Sequence, residues 1–363
     1  MTISMQDDGV VDAAPVMVFR AGLGRRVPYG YIRIGPGIAI PAVLRDFNVA
    51  IEPLLRRVGV PGDLFADPDN ALPYRDFCQL LSLCVEAIKR DDFGLLICEK
   101  TGASNLGLVG FLLQQAPDVR SALGDLVRYL HHNDRGAVPF MTIAGGMVTL
   151  GYQISEPDMP AAEHVYDGAL AIGRNIMRAF CGPNWTPLEV TLSRKRPVSP
   201  ARHERFYGAP VRFGAERSAL FFREEWLDTP IHTADPMLRR MLQEQVDLLE
   251  IEEAGNVTEQ VRRLMRTSLL TSGASLGDLS ELLQMNRRTL ARHLDAEGTS
   301  FKKISDEVHF DVARHLLANT AMSVTDVSLA LHYSETSSFT RAFRGWAGLA
   351  PSEWRAMHGA GKE

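Results

Sequence analysis

The chain lacks the marks of a membrane protein, a disulfide scaffold or a common hydrolase. No run in its 363 residues approaches the roughly 18 consecutive apolar residues that a membrane span needs. Cysteine is sparse: Cys78, Cys84, Cys98 and Cys181 form no CxxC pair and no metal-ligand spacing, which predicts buried thiols in a reducing compartment rather than disulfides or zinc. There is no GxSxG, HExxH, Walker loop or GxGxxG after a strand, so no catalytic residue, metal or cofactor is expected. The opening MTISMQDDGVVDAAPVMVF carries acid where a secretory signal carries base, and a cytoplasmic protein is expected. Positive charge is also short, with 39 Lys+Arg against 44 Asp+Glu and a net charge of -5, which excludes a generally sticky polyanion binder. From Asn256 onward, however, 13 Lys+Arg face 12 Asp+Glu. Any nucleic-acid binding there must come from well-placed arginines.

What is present suits two or more soluble domains, since 363 residues exceed what one core usually organises. Residues 1–42, rich in Gly and Pro, read as an arm. From Val43 a helical pattern runs through Phe47, Ile51, Leu54, Leu55 and Val58, and another through Phe77, Leu80, Leu81, Cys84, Val85 and Ile88. Phe140–Ile143 and Met147–Ile154 flank Gly145-Gly146, the local chemistry of a β-hairpin. A helix over 161–180 and two short β-like runs, Leu188–Leu192 and Ala219–Phe222, complete an α+β domain over 43–231. Residues 232–256 read as a connector helix with a stripe of Leu238, Met241, Leu242 and Val246. Residues 257–358 form an all-α domain.

Within that last domain a pattern occurs twice. Val324, Val327 and Leu331 fall at helical spacing, a turn-like HYS intervenes, and Phe339, Phe343 and Trp346 resume the period. Upstream, Ser275-Leu276-Gly277-Asp278-Leu279-Ser280 matches Ser323-Val324-Thr325-Asp326-Val327-Ser328 in character, and Leu283 answers to Leu331. With one extra residue in the later turn, Leu290 answers to Phe339, Arg292 to Arg341 and Leu294 to Phe343. Each Ser is placed to cap a helix and each Asp to sit near its positive end. Two helix-turn-helix units, 275–295 and 323–346, are therefore expected, joined by a helix carrying Ile304, Val308, Val312, Leu316 and Leu317. Held on one side of that spacer, their second helices would enter successive major grooves about 34 Å apart.

The closing run SVTDVSLALHYSETSSFTRAFRGWAGLAPSEWR resembles the signature of the AraC/XylS family of transcription regulators through Phe339, Arg341, Phe343, Gly348, Pro351 and Arg355. Upstream, ADPDNALPYRDFCQLLSL, FGLLICEKTG, LGLVGFLLQQAPDVRSALGDLVRYL and FYGAPVRFGAERSALFF look like the ornithine-utilisation-regulator type of N-terminal domain in that family. The resemblance implies an α+β sensor and dimerisation domain followed by a paired DNA reader. Its partners would be promoter DNA, RNA polymerase, a second copy of the chain and a small effector. The family's DNA-contacting positions match Arg288, Ala291 and Arg292 in the first unit and Thr336, Ser337 and Arg341 in the second. Ala291 departs from a polar residue often found there, leaving a thymine methyl as its contact. Gln284 and His332 stand where many members have Gly in the turn.

Arg292 and Arg341, with Arg288, are the base readers of choice, because a guanidinium bridges guanine O6 and N7. Arg287, Arg344 and Thr340 suit phosphate. For an acidic effector the polar candidates are Lys100, His131, His132 and Arg135. The alternative reading is a regulator whose N-terminal domain senses nothing and only dimerises or binds a protein. An enzymatic domain fused to a DNA anchor is disfavoured, since no cysteine has the basic or helix-start setting that activates a thiol.

Overall fold

The computed structural model describes residues 16–20, 25–99, 101–156, 158–253, 257–269, 275–283, 285–320 and 322–358. Lys100, Asn256 and Gln284 lie outside the described residues. β1 (Phe19–Arg20) and β2 (Tyr31–Arg33) flank β3 (Asn70–Pro73) in an antiparallel sheet. Val27, Ile32, Ile34 and Ile40 are buried in the domain core, so residues 25–42 are not the arm that their Gly and Pro content suggested. The breakers there end a short paired strand rather than prevent one.

The helical pattern from Val43 to Val58 is two helices, α1 (Ile40–Asp46) and α2 (Glu52–Val58). Asn48, at φ 58°, breaks the chain between them, and Pro53 starts the second. Then come α3 (Tyr74–Ile88), α4 (Phe93–Cys98), α5 (Gly107–Gln114) and α6 (Val119–Tyr129). A hairpin of β4 (Ala137–Ala144) and β5 (Met147–Ile154) turns at Gly145 and Gly146, with φ of 58° and 76°. Two consecutive positive values are what a two-residue hairpin turn needs, and glycine adopts them without steric cost.

α7 (Ala162–Cys181) crosses the sheet that this hairpin begins. β6 (Glu189–Leu192), α8 (Ala201–Tyr207), β7 (Val211–Phe213) and β8 (Ser218–Arg223) follow, and the sheet order is β4-β5-β8-β6-β7. All its pairings are antiparallel except β6 with β7. Gly94 lets α4 lie directly on α7: a Cβ there would stand 2.0 Å from the His164 carbonyl oxygen.

α9 (Pro236–Glu253) buries Val246 and Leu249 against this domain, with Leu242 partly covered. Leu238 and Met241, expected in that stripe, are exposed. The remaining helices are α10 (Val257–Leu269), α11 (Leu276–Leu282), α12 (Arg287–Ala296), α13 (Phe301–Asn319), α14 (Val324–Ala330), α15 (Thr336–Ala347) and α16 (Pro351–His358). They enclose two small cores. Val261, Leu279, Leu290, Leu294, Ile304 and Val308 make the first. Leu317, Val327, Leu331, Phe339, Phe343 and Trp354 make the second. The 19-residue α13 serves both, and Val312 touches each.

Among the described residues, no helix is long and apolar enough to cross a membrane.

Candidate nucleic-acid interface and effector cavity

The repeated Ser and Asp form the same cap twice. Ser275 donates its N–H and hydroxyl to the Asp278 carboxylate at 2.8 and 2.7 Å, and the Asp278 N–H returns to Ser275 Oγ at 3.2 Å. Ser323 and Asp326 repeat the pattern at 3.1, 2.6 and 3.0 Å. Such reciprocal bonds satisfy amide donors that a helix start leaves open. In the second turn His332 takes φ 59°, a left-handed conformation that favours Gly, while its ring bonds the Leu269 carbonyl at 3.2 Å.

Burial of Leu290 and Leu294 turns the other face of α12 outward, leaving Arg287, Arg288, Ala291 and Arg292 exposed. On α15, burial of Phe339 and Phe343 leaves Ser337, Arg341 and Arg344 exposed, with Thr336 and Thr340 half-buried. Thr340 donates its hydroxyl to the Thr336 carbonyl at 2.8 Å, so of the phosphate candidates it is held inward. Arg341 reaches Ser338 Oγ at 3.4 Å, and Ser337 donates to Glu335 at 3.0 Å. The Arg287 guanidinium lies over Gly277 on α11, where a Cβ would meet it at 2.3 Å. Arg355 serves structure: its Nε donates to the Leu317 carbonyl at 3.0 Å and ties α16 to α13.

The N-terminal domain holds a cavity of about 100 Å³ between α7, the large sheet and helices α3, α4 and α6. Its walls are apolar, with Phe77, Leu81, Ile97, Leu150, Ile172 and Leu220 among them. Asn133 and Asp134 bring polarity to it. Asn133 is 2% exposed, and neither oxygen nor nitrogen of its amide has a partner. Asp134 is satisfied: it accepts from the Tyr152 hydroxyl and from the Gly136 N–H at 2.8 Å. Burial pushes its carboxyl up to about 7, against the opposing pull of those hydrogen bonds.

Residues 49–231 match the family described as the arabinose-binding domain of AraC transcription regulators, N-terminal, and residues 279–357 match a helix-turn-helix domain. The chain belongs to the AraC family of transcription regulators. It is 25% identical over 319 residues to the HTH-type transcriptional regulator VirS of Mycobacterium tuberculosis, covering 87% of this chain and 94% of that one. To the ornithine utilization regulator of Pseudomonas aeruginosa it is 23% identical over 322 residues, with the same coverage. A solved structure of the transcriptional regulator CdpR from Pseudomonas aeruginosa is 22% identical, covers 73% of this chain and 86% of that one, and superposes with a TM-score of 0.38. These relatives are transcription regulators, and the AraC-family chain is likewise a DNA-binding regulator rather than an enzyme.

His131, His132 and Arg135, which the sequence offered for an acidic effector, do not line the cavity of this AraC-family domain. His131 and His132 point their Nε2 atoms at one oxygen of Glu250 on α9, at 2.9 and 2.8 Å. Arg263, on α10, lies 3.7 Å from the same oxygen, with its Nη1 2.8 Å from His131 Nδ1. Arg135 lines a separate small cleft with Tyr29, His131, Asp134, Arg263 and Arg266. Burial alone would raise the Glu250 carboxyl, but hydrogen bonds from both imidazoles and the Arg263 charge hold it well below the usual range. His131, His132 and Glu250 place three donor atoms within 4.8 Å of one another, as a metal site would. The Arg263 guanidinium on the same ring opposes a cation there, so the cluster reads as an ion-paired joint between domains. Sequence reasoning missed Asn133, Asp134 and Glu250. The first two stand directly after the HisHis pair, and only folding places them among the residues that line the cavity.

Proposed function

We propose that this regulator is controlled by a small molecule seated in the N-terminal cavity, and that Arg288, Arg292 and Arg341 read bases while Arg287 and Arg344 hold phosphate. The observation that carries the effector reading is the cavity itself, an apolar space meeting a buried, unpartnered amide. Pre-formed apolar pockets with a few convergent polar groups are the usual form of a ligand site.

Asp134 supports a route from ligand to DNA, since it lines both the cavity and the cleft that faces Arg263 and Arg266. Residues 131–134 thus have the cavity on one side and the joint with α9 and α10 on the other. A ligand that favours one position of this turn biases how the reader is held, provided its affinity differs between the two arrangements. A homodimer fits the outward side of α9, where exposed Met237, Met241 and Leu248 share one face.

The test begins with selection of binding sites from a random duplex pool by the full-length protein. Two boxes one helical turn apart are expected, and affinity for the selected site should shift when small apolar compounds are added. A single box sinks the paired reading. Unchanged affinity across broad compound classes favours the dimerise-only alternative.

A further inference from the structure

The class of ligand follows from how the cavity's polar atoms are already employed, and the inference rests on the effector reading above. Among the described residues, each polar side chain lining the cavity except one makes a hydrogen bond. The Asp134 oxygens are taken by Tyr152 and Gly136, and the Tyr152 hydroxyl lies 3.3 Å from that of Tyr74. His164 Nδ1 receives the Gly94 N–H at 3.4 Å, and burial lowers the pKa of the ring. Asn133 stands apart, with a donor and an acceptor side by side, both buried and both unpaired. Leaving such a group unpaired costs free energy that a complementary ligand recovers.

Among the described residues, the cavity lining contains no Lys or Arg to meet an anion. A carboxylate bound there would instead meet the Asp134 carboxyl, whose buried position already resists ionisation. Size narrows the class further. At about 100 Å³ the space is smaller than the cavity of about 150 Å³ that holds benzene in another protein, so the apolar body is short, about five carbons.

We propose that the cavity binds a small uncharged molecule with a branched or compact apolar body and an amide-like head, whose adjacent acceptor and donor pair with the Asn133 side chain. This replaces the acidic effector that Lys100, His131, His132 and Arg135 suggested.

Four probes that share a branched chain separate the possibilities: isovaleramide, isovalerate, isopentylamine and 2-methylpentane. Binding to the full-length protein at pH 7.5 is read by ligand-observed NMR and by the shift in Tm. Isovaleramide should bind at least about tenfold more tightly than isovalerate or the hydrocarbon. N133L should remove that advantage while leaving the hydrocarbon bound no worse. Because it replaces an unpaired amide with an apolar group of similar size, its Tm without ligand should not fall. Should N133L fail to fold, I172F, which fills the cavity from α7, should abolish binding of all four probes. Preference for isovalerate or isopentylamine, or an isovaleramide preference that survives N133L, overturns the ligand class and leaves the effector reading standing, whereas binding that survives I172F lies outside the cavity and overturns the effector site as well. Silence from all four probes on the wild-type protein overturns the effector site and the ligand class together.

Discussion

The Tyr166 hydroxyl on α7 lies 3.2 Å from His315 Nε2 on α13, so a buried side-chain hydrogen bond joins the N-terminal domain to the spacer between the two DNA-reading units. Tyr166 oxygen already faces Gln153 Nε2 at 3.2 Å and the Ile154 N–H at 3.4 Å. Its hydrogen is therefore left for an unprotonated His315. Burial pushes the His315 ring down to about 4, which keeps it able to accept. Y166F should cost about 1 kcal/mol in urea unfolding, the usual net worth of one such bond. An unchanged midpoint would mean that the two domains are held without it.

Two buried groups give pH effects of opposite sign. The unfolded chain protonates His315 below about 6.5 while the folded one resists until about 4, so this term removes stability as pH falls through that window, up to about 3 kcal/mol. Asp134 runs the other way. Its folded carboxyl keeps a proton up to about 7 while the unfolded one loses it near 3.8, so stability is lost as pH rises between them. Relative to wild type, H315Q should gain Tm toward pH 4 and D134N should gain toward pH 8. Parallel profiles for the two variants would refute both assignments.

The repeat was legible because its signals are local. Ser275 and Asp278, like Ser323 and Asp326, make a cap within four residues, and Leu290, Leu294, Phe339 and Phe343 recur at helical spacing. The N-terminal site was not legible, because its parts meet only through the fold. Asn133 and Ile172, about forty residues apart on a turn and a helix, line one cavity, and Glu250 meets His131 and His132 across more than a hundred. On a regular helix adjacent side chains point about 100° apart and do not converge on one partner. The tighter 3-10 turn at Leu130–His132 brings their ring centroids to 4.0 Å, and both reach one carboxylate. On α9 the periodic apolar residues were visible, but with apolar side chains on opposite faces the period alone did not say which face turns inward.

On a selected DNA site, R292A and R341A should each cost about 1–3 kcal/mol and relax preference at one base position. R344A should weaken binding to all sequences alike and lower the salt slope by about 1. Fluorescence anisotropy over a series of salt concentrations separates the two behaviours. If R341A lost only the salt-dependent part, Arg341 would be a phosphate contact.

Glu250 is the acid on which His131, His132 and Arg263 converge, so E250Q removes the charge that all three share while keeping the side chain's size. The cavity proposed for the ligand and the exposed faces of α12 and α15 proposed for DNA lie away from it. Binding at each should therefore survive in E250Q, while the factor by which one changes the other falls toward one. Retention of the full factor would show that coupling runs elsewhere, with the Tyr166–His315 contact the next place to probe.

The outward face of α9 offers a test of dimerisation that leaves both binding sites alone. Met241 and Leu248 are 58% and 54% exposed, while Val246 and Leu249 hold the opposite face against the domain core. A charge on the outer face should not disturb that packing, since surface substitutions away from buried contacts usually cost within about 0.5 kcal/mol. Facing a second copy, the same charge is desolvated without a partner and opposes association. The double variant M241E/L248E should therefore keep the wild-type Tm at low concentration but sediment as a monomer where the parent is a dimer. A site with two half-sites should then be bound more weakly by the variant, with a single half-site unaffected. Were the variant still dimeric, the apolar residues of α9 would not be the surface that holds two chains together.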